Sequence, residues 1–156
     1  MFESFRLCTT LFRNCLDGIV DGLARRRLTD NTNDLLFLTI HLVDARYYME
    51  LVMGGSYNAP FPGLEEISSV NDLPDDAPSI ATVLGLWNQI SPTLETRFED
   101  LTESHLSAES PFKFYPKDAA QDVRMALSFL IHHEGYHIGQ MALIRKGLGL
   151  PAMRYD

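Results

Sequence analysis

The sequence predicts an all-α protein, a four-helix bundle with a long crossover between its second and third helices. Apolar residues recur at intervals of three and four in four long segments. Alternating apolar runs joined by hairpin turns, which would indicate strands, are absent. The segment from Gly54 to Pro78 is rich in proline and glycine and shows no periodicity. With 156 residues, 46% of them hydrophobic, the chain is long enough to fold as one domain over residues 1–156.

The first two helices are predicted from their apolar stripes and from the residues that flank them. We expect helix one over residues 4–26, where the arginines at 25–27 would complement the helix dipole at its carboxyl end. A run of cap-forming residues at 29–33 precedes helix two, which we expect to end near Met53. The stripe of helix one is Phe5, Cys8, Leu11, Phe12, Cys15, Ile19, Val20 and Leu23, and that of helix two is Leu35, Leu38, Leu42, Ala45, Tyr48 and Val52.

Helix three is predicted to follow the long crossover. It begins at Ser79 and carries apolar residues at helical spacing as far as Leu101. Pro92 lies inside this segment, so we expect it to kink or split the helix. A loop over residues 102–117 comes next, and its aromatic cluster is expected to fold back onto the bundle. The cluster consists of Phe112, Phe114 and Tyr115.

Helix four is predicted from its capping residues and from the basic residues near its end. We expect Asp118 to cap the helix, with Gln121 completing a box-like start. The helix then runs to Lys146, where basic charge suits a carboxyl terminus. Gly147 and Pro151 are expected to stop it.

Charge and cysteine content exclude several classes of protein. The net charge of −8 would repel nucleic acid, which needs a basic binding face. No apolar stretch approaches ~20 residues and the amino-terminal residues lack a secretory signal, so we expect a cytoplasmic protein that does not enter a membrane. Cys8 and Cys15 are seven residues apart, about 10 Å along one helix, which is too far for a disulfide. We expect both to be buried, unreactive thiols.

Three histidines stand where two helices can face each other. His133 and His137 lie one turn apart on helix four and project from one face, which apolar residues continue on both sides. His41 lies on the apolar stripe of helix two. Any one of them alone could be a hydrogen-bonded core residue, but three inward imidazoles together favour a shared metal ion. His132 and His105 fall outside this face and are not expected to be ligands.

The segment from His133 to His137 also reads H-E-x-x-H, the zinc-binding pattern of many metalloproteases. In that reading Glu134 would be the general base. Only nineteen residues follow His137, however, and they contain no histidine or glutamate to serve as a third ligand. The chain also offers no strand to hold an extended peptide. We therefore set the protease hypothesis aside.

Helix four contains the run His133-Glu134-Gly135-Tyr136-His137-Ile138-Gly139-Gln140, and a basic, leucine-rich end follows it up to Pro151. This pattern resembles the last helix of the DinB-like, or YfiT-like, metal-dependent superfamily. A histidine in the middle of helix two, here His41, belongs to the same resemblance. The resemblance implies a helical bundle with a long second connection, a homodimer, and nickel, zinc or another divalent ion held by three histidines. Some members of the superfamily transfer low-molecular-weight thiols such as bacillithiol, mycothiol or glutathione to electrophiles.

Two functions remain open at this point. Three neutral imidazoles would leave a coordination position free for a thiol or for water, which favours thiol transfer, or hydrolysis, at His41, His133 and His137. The alternative is a metal-binding stress or interaction protein without turnover, in which the ion joins two helices. Glu134 and Gln140 could each orient a ligand or serve as an extra one. A homodimer is also expected because helices one and three carry more apolar positions than one inward stripe requires.

Overall fold

The fold is all-α, as the sequence predicts. The computed structural model describes residues 1–65, 67–113 and 116–156 and contains no strand in these ranges, only an isolated bridge between Glu109 and Asp122. A short 3₁₀ turn, Val70–Asp72, lies in the crossover. The helices in chain order are α1 Phe2–Leu16, α2 Asp21–Ala24, α3 Leu35–Val52, α4 Ile80–Asp100, α5 Glu103–Leu106 and α6 Val123–Gly147.

The core lies among the four long helices α1, α3, α4 and α6. Contacts join α3 to α4, α1 to α6, α3 to α6 and α1 to α4, so each long helix touches two others. Large side chains fill the centre: Phe12 stacks on Trp87 with ring centroids 3.7 Å apart, and both are fully buried. Burial of these apolar faces is what holds the helices together. In the described part of the chain, no helix is long and apolar enough to cross a membrane.

The prediction of one helix over residues 4–26 is wrong beyond Leu16. The chain turns at Gly18, whose φ of 73° is a left-handed conformation that glycine adopts without steric cost. Only the short helix α2 follows. The arginines therefore do not end a long helix: Arg25 donates hydrogen bonds to the carbonyl oxygens of Pro74 and Asp75 in the crossover. Arg27 similarly donates to Asn71 Oδ1.

Helix α3, which carries the first candidate ligand, agrees with its predicted bounds. Asp34 caps it by accepting a hydrogen bond from the backbone N–H of Phe37, and Met53 is the residue at its carboxyl end. Helix α4 is continuous through Pro92, so of the two expected outcomes, a kink or a split, the split does not occur. Ile90 and Leu94 are buried on either side of the proline. Their packing outweighs the ~3 kcal/mol that an internal proline costs.

The start of helix α6 lies four residues later than predicted. Asp122, not Asp118, accepts the capping hydrogen bond, from the backbone N–H of Met125. Gln121 does not complete a capping box, because its side-chain amide donates to the carbonyl oxygens of Pro116 and Ala119 and closes the preceding turn. At the other end, Gly147 belongs to the helix.

The predicted loop at 102–117 contains the short helix α5, which Thr102 caps. Phe112 folds back as expected and packs edge-on against Tyr48 of α3, with ring centroids 4.8 Å apart. Phe114 and Tyr115, the other two aromatic residues of the predicted cluster, lie outside the described residues.

Candidate metal centre

Helices α3 and α6 bring the three predicted histidines together. His41 lies near the middle of α3, and His133 and His137 lie one turn apart on the facing side of α6. The Nε2 atom of His133 is 3.0 Å from Nε2 of His41 and 3.0 Å from Nε2 of His137. The rings meet edge to face, with interplanar angles of 74–84°. Three ring nitrogens therefore converge on one point from two helices.

The spacing of these nitrogens suits a transition-metal ion. An ion with metal–nitrogen bonds of ~2.0–2.1 Å and tetrahedral angles holds its ligand nitrogens about 3.3 Å apart. The three residues each offer one ligand atom, and these atoms all lie within 4.8 Å of one another. In the described ranges no further His, Cys, Asp or Glu joins the group. Among the described residues the arrangement is thus a three-nitrogen set without a fourth protein ligand.

Burial keeps the three imidazoles neutral. It lowers the pKa of His41 to about 4, and the neighbouring His137 adds to this effect. The pKa of His133 is also lowered to about 4, first by burial and then by His41, His137 and His132. Burial lowers the pKa of His137 as well, although Gln140 opposes the change. At neutral pH each ring therefore has a lone pair available, which is the form that binds metal.

Gln140 fixes the orientation of His137. Its Oε1 atom lies 2.7 Å from Nδ1 of His137, and its side-chain nitrogen donates to the hydroxyl of Tyr136 at 3.1 Å. An amide oxygen can only accept, so Nδ1 carries the proton and the lone pair is on Nε2. That is the nitrogen that faces the other two histidines. Of the two roles that the sequence leaves open for Gln140, the contacts support the orienting one.

The three rings lie at the edge of the core instead of inside it. All three are half buried, so they lie less deep in the bundle than the expectation of inward-facing residues implies. They form part of the wall of a cavity of about 600 Å³ between α3, α6 and the crossover. His133 Nδ1, in contrast, is buried and has no hydrogen-bond partner among the described residues. The candidate centre thus has one face on the core and one on an open cavity.

Glu134 points away from the histidines and binds Arg46. Both side chains are fully buried, and the guanidinium donates from Nε and from one terminal nitrogen to the two carboxylate oxygens, at 2.8 and 3.0 Å. Arg46 also donates to the hydroxyls of Thr9 and Ser91. Its guanidinium carbon lies 3.3 Å from the ring centroid of Trp87. Glu134 is therefore neither an extra ligand nor the general base of a protease.

The ion pair joins the same two helices that carry the candidate ligands. Arg46 lies five residues after His41 on α3, and Glu134 lies between His133 and His137 on α6. A two-point contact of this kind fixes both the distance and the register of the helices. Sequence reasoning missed Arg46. Arg46 is the only lysine or arginine of helix two, but Asp44 and Glu50 lie close to it in the sequence, so no local signal marks it as a buried cation whose partner is on another helix.

The remaining histidines and both cysteines play no part in the cluster. His132 is exposed. His105 is an exposed residue of α5, and its side chain accepts a hydrogen bond from the backbone N–H of the capping residue Thr102. Cys8 and Cys15 are buried free thiols, as predicted. Burial raises the pKa of Cys8 to about 11 and that of Cys15 to about 12, so neither is a thiolate at neutral pH.

Fold and site together define an all-α protein with a three-histidine group that could bind a metal ion. The sequence model of the DinB superfamily matches residues 4–141, which include all three histidines and Gln140. The chain belongs to the DinB superfamily. Neither the search of curated proteins nor the search of solved structures found a match.

Proposed function

We propose that the protein is a metal-dependent transferase that adds a low-molecular-weight thiol to an electrophilic substrate. His41, His133 and His137 hold the ion in this proposal. The observation that carries it is the convergence of three neutral imidazoles on one point beside an open cavity. Nickel and zinc are the ions we favour, because both accept an all-nitrogen set of imidazoles.

A divalent ion in this position supplies the positive charge that lowers the pKa of a thiol placed beside it. The thiol proton leaves to solvent, sulfur forms a bond to the electrophilic carbon, and the bond to the leaving group breaks with its electron pair. The protein's contribution is positional. Gln140 keeps the lone pair of His137 on Nε2, and the pair of Arg46 and Glu134 keeps α3 and α6 in register. The cavity provides room for both reactants.

The absence of a fourth protein ligand among the described residues supports a reactive site over a purely structural one. Structural zinc sites are usually closed by four protein ligands, whereas catalytic sites keep a position free. The alternative, a metal-binding protein without turnover, predicts that an added thiol leaves the metal's coordination unchanged. Cysteines 8 and 15 are too buried to supply the thiol themselves, so it must come from solution.

We also propose a cytoplasmic homodimer. Two buried free cysteines fit a reducing compartment. Three large apolar residues on α1 and α6 are half to two-thirds exposed: Leu7 at 49%, Tyr136 at 60% and Leu143 at 66%. A second copy of the chain would cover such a face. Light scattering that gives a mass near 17.6 kDa across micromolar concentrations would contradict a stable dimer.

The proposed function is tested by metal content and thiol consumption measured on the same samples. We expect about one divalent ion per chain, and we expect His133→Ala/His137→Ala to lose it. His132→Ala is the matched control, because His132 is on the same helix but exposed and outside the cluster. The control should retain both metal and thiol consumption with a soft electrophile. Undiminished metal in a folded double variant would refute the site, and metal without thiol consumption, across several thiols and electrophiles, would favour the non-catalytic alternative.

A further inference from the structure

The cavity beside the histidines has acidic and aromatic walls, and no cationic side chain is among its described lining residues. Its described lining contains Asp44 and Glu65 but no lysine or arginine. The three residues outside the described ranges are a glutamate, a phenylalanine and a tyrosine, so they add no cation to the chain either. The nearby Lys113, next to Phe112, forms an ion pair with Glu109 at 2.6 Å.

We propose that this cavity selects a small molecule that carries a protonated amine on an apolar or aromatic body, and that it disfavours carboxylates. The proposal rests on the proposed function only in placing that molecule next to the metal centre. It names the chemical class of the reactant, which thiol transfer alone leaves open.

Asp44 is the residue that would bind the amine. It follows His41 by three residues on α3, so the two side chains share one face of the helix and both line the cavity. The hydroxyl of Tyr57 donates to its Oδ1 atom at 2.7 Å, which holds the carboxylate in place. Burial raises the pKa of Asp44, and the nearby Glu65 raises it further. A bound ammonium group would relieve both effects.

Aromatic rings supply the rest of the selectivity. Phe37, Tyr48, Phe112 and Phe129 all contribute to the lining. The Tyr48 ring also stacks on Tyr57, the partner of Asp44, with centroids 4.3 Å apart. Ring faces attract organic cations and offer apolar surface to the body of a ligand. Anionic groups gain nothing from these faces and are repelled by the two carboxylates.

The charge balance of the site points the same way. Before a metal ion binds, the three neutral imidazoles contribute no charge, so Asp44 and Glu65 are the charged side chains of the described lining. A bound divalent ion would offset the charge of these two carboxylates, so the preference for an amine is greatest in the metal-free protein. For two unit charges ~6 Å apart, the Coulomb energy at an intermediate dielectric corresponds to a binding preference on the order of tenfold. In the metal-free protein an amine should therefore bind on the order of tenfold more tightly than an uncharged molecule of the same shape. The preference should weaken as salt is added.

The test compares two molecules of matched shape, 2-phenylethylamine and 2-phenylethanol. Their dissociation constants are measured by titration calorimetry on the full chain at pH 7, both as purified and after chelation, with circular dichroism to verify the fold. After chelation we expect the amine to bind on the order of tenfold more tightly, and with the ion bound we expect a smaller preference. Asp44→Asn, which can keep the Tyr57 contact, should abolish most of that preference. Asp100→Asn removes an exposed carboxylate outside the cavity and should leave the preference unchanged.

Equal binding of the two molecules, or an amine preference that survives Asp44→Asn, would overturn the proposal. A separate arm tests thiol coordination, with cobalt-loaded protein and two small thiols, cysteamine and 2-mercaptoethanol. A thiolate-to-cobalt absorption band would support the proposed function, and cysteamine should produce it at the lower concentration of thiolate. If neither thiol produces the band while 2-phenylethylamine still binds through Asp44, then thiol transfer fails and the amine site stands.

Discussion

Metal binding to this protein should release few protons, even in mildly acidic solution. Three ordinary histidines with a pKa of ~6.5 would each carry about 0.75 proton at pH 6.0, and a metal ion would displace about 2.3 protons in total. Burial lowers the pKa of His41 and His133 to about 4, so at pH 6.0 these two rings carry almost no protons. The pKa of His137 is lowered too, and its share therefore stays below 0.75.

We therefore expect fewer than about one proton to be released per ion at pH 6.0. A water molecule on the metal, with a pKa of ~7, adds only about 0.1. The measurement is a calorimetric titration of metal into chelated protein in two buffers with different ionisation enthalpies, because the difference in heat gives the number of protons. A short peptide with two histidines in solvent serves as the control and should release protons as ordinary imidazoles do.

Release of two or more protons per ion at pH 6.0 would refute this reasoning. It would mean that the imidazoles are solvated and protonated before the metal binds, and that the convergent arrangement does not persist in the metal-free protein. Metal affinity distinguishes the two cases as well. With neutral rings the affinity should change little between pH 7 and pH 6, whereas with ordinary rings it should fall steeply.

Three further predictions concern stability and the residues that support the site. Glu134→Ala should lower the free energy of unfolding by about 3–5 kcal/mol in a urea titration, because it leaves the Arg46 guanidinium buried without its counter-ion. A loss below about 1 kcal/mol would contradict the burial of this ion pair. Gln140→Ala should weaken metal affinity about 10–100-fold in a chelator competition while the melting temperature of the metal-free protein hardly changes, since Gln140 orients His137 from a partly exposed position. The metal-free protein should stay folded at neutral pH and lose stability as the pH falls from about 6.5 towards 4, because His41 and His133 bind protons more readily in the unfolded chain than in the folded protein. We expect a loss of about 2 kcal/mol in the free energy of unfolding for each ring after screening, measured by urea unfolding at several pH values. A flat profile of stability against pH would contradict the lowered pKa values.

Hydrophobic spacing predicts which residues are buried better than it predicts where the chain turns. The predicted stripe of helix one continues through Ile19, which is indeed buried, yet the helix ends at Leu16. Burial of an apolar side chain is compatible with a helix or with a turn that packs against it. The change of direction occurs at Gly18, where the backbone adopts a positive φ. An isolated glycine inside a periodic segment does not by itself predict a turn from the sequence.

The start of helix α6 was missed for a related reason. Asp118 and Asp122 are four residues apart, so each would place the same stripe on the same face. Contacts with a distant segment decide between them. The backbone N–H of Ser110 donates to the carbonyl oxygen of Gln121, and that of Val123 donates to Ala108. These bonds keep the chain extended up to Asp122, and no local pattern in the sequence records them.

The histidine cluster was accessible from sequence because two of its members lie one helical turn apart and the third lies on an apolar stripe. The contacts that hold the three histidines in position could be predicted from the sequence only in part. Gln140 could be recognised as a neighbour of His137, but its role depends on which of its atoms faces the ring. Arg46 and Glu134 are 88 residues apart in the chain, and nothing local connects them. Only the packing of α3 against α6 does so.

The buried ion pair explains how a site at the edge of the core can be well ordered without an ion to assemble it. Taking Arg46 and Glu134 out of water is costly, and an apolar pair of equal volume could serve stability as well. Their hydrogen bonds, with those to Thr9 and Ser91, hold one relative position of α3 and α6. That position presents the three imidazoles to one another while their other side faces the cavity. A site ordered in this way can remain half exposed, which a reactive centre requires and a structural metal does not. It can also keep its imidazoles neutral before metal arrives, so the number of protons released on metal binding reports directly on this preorganisation.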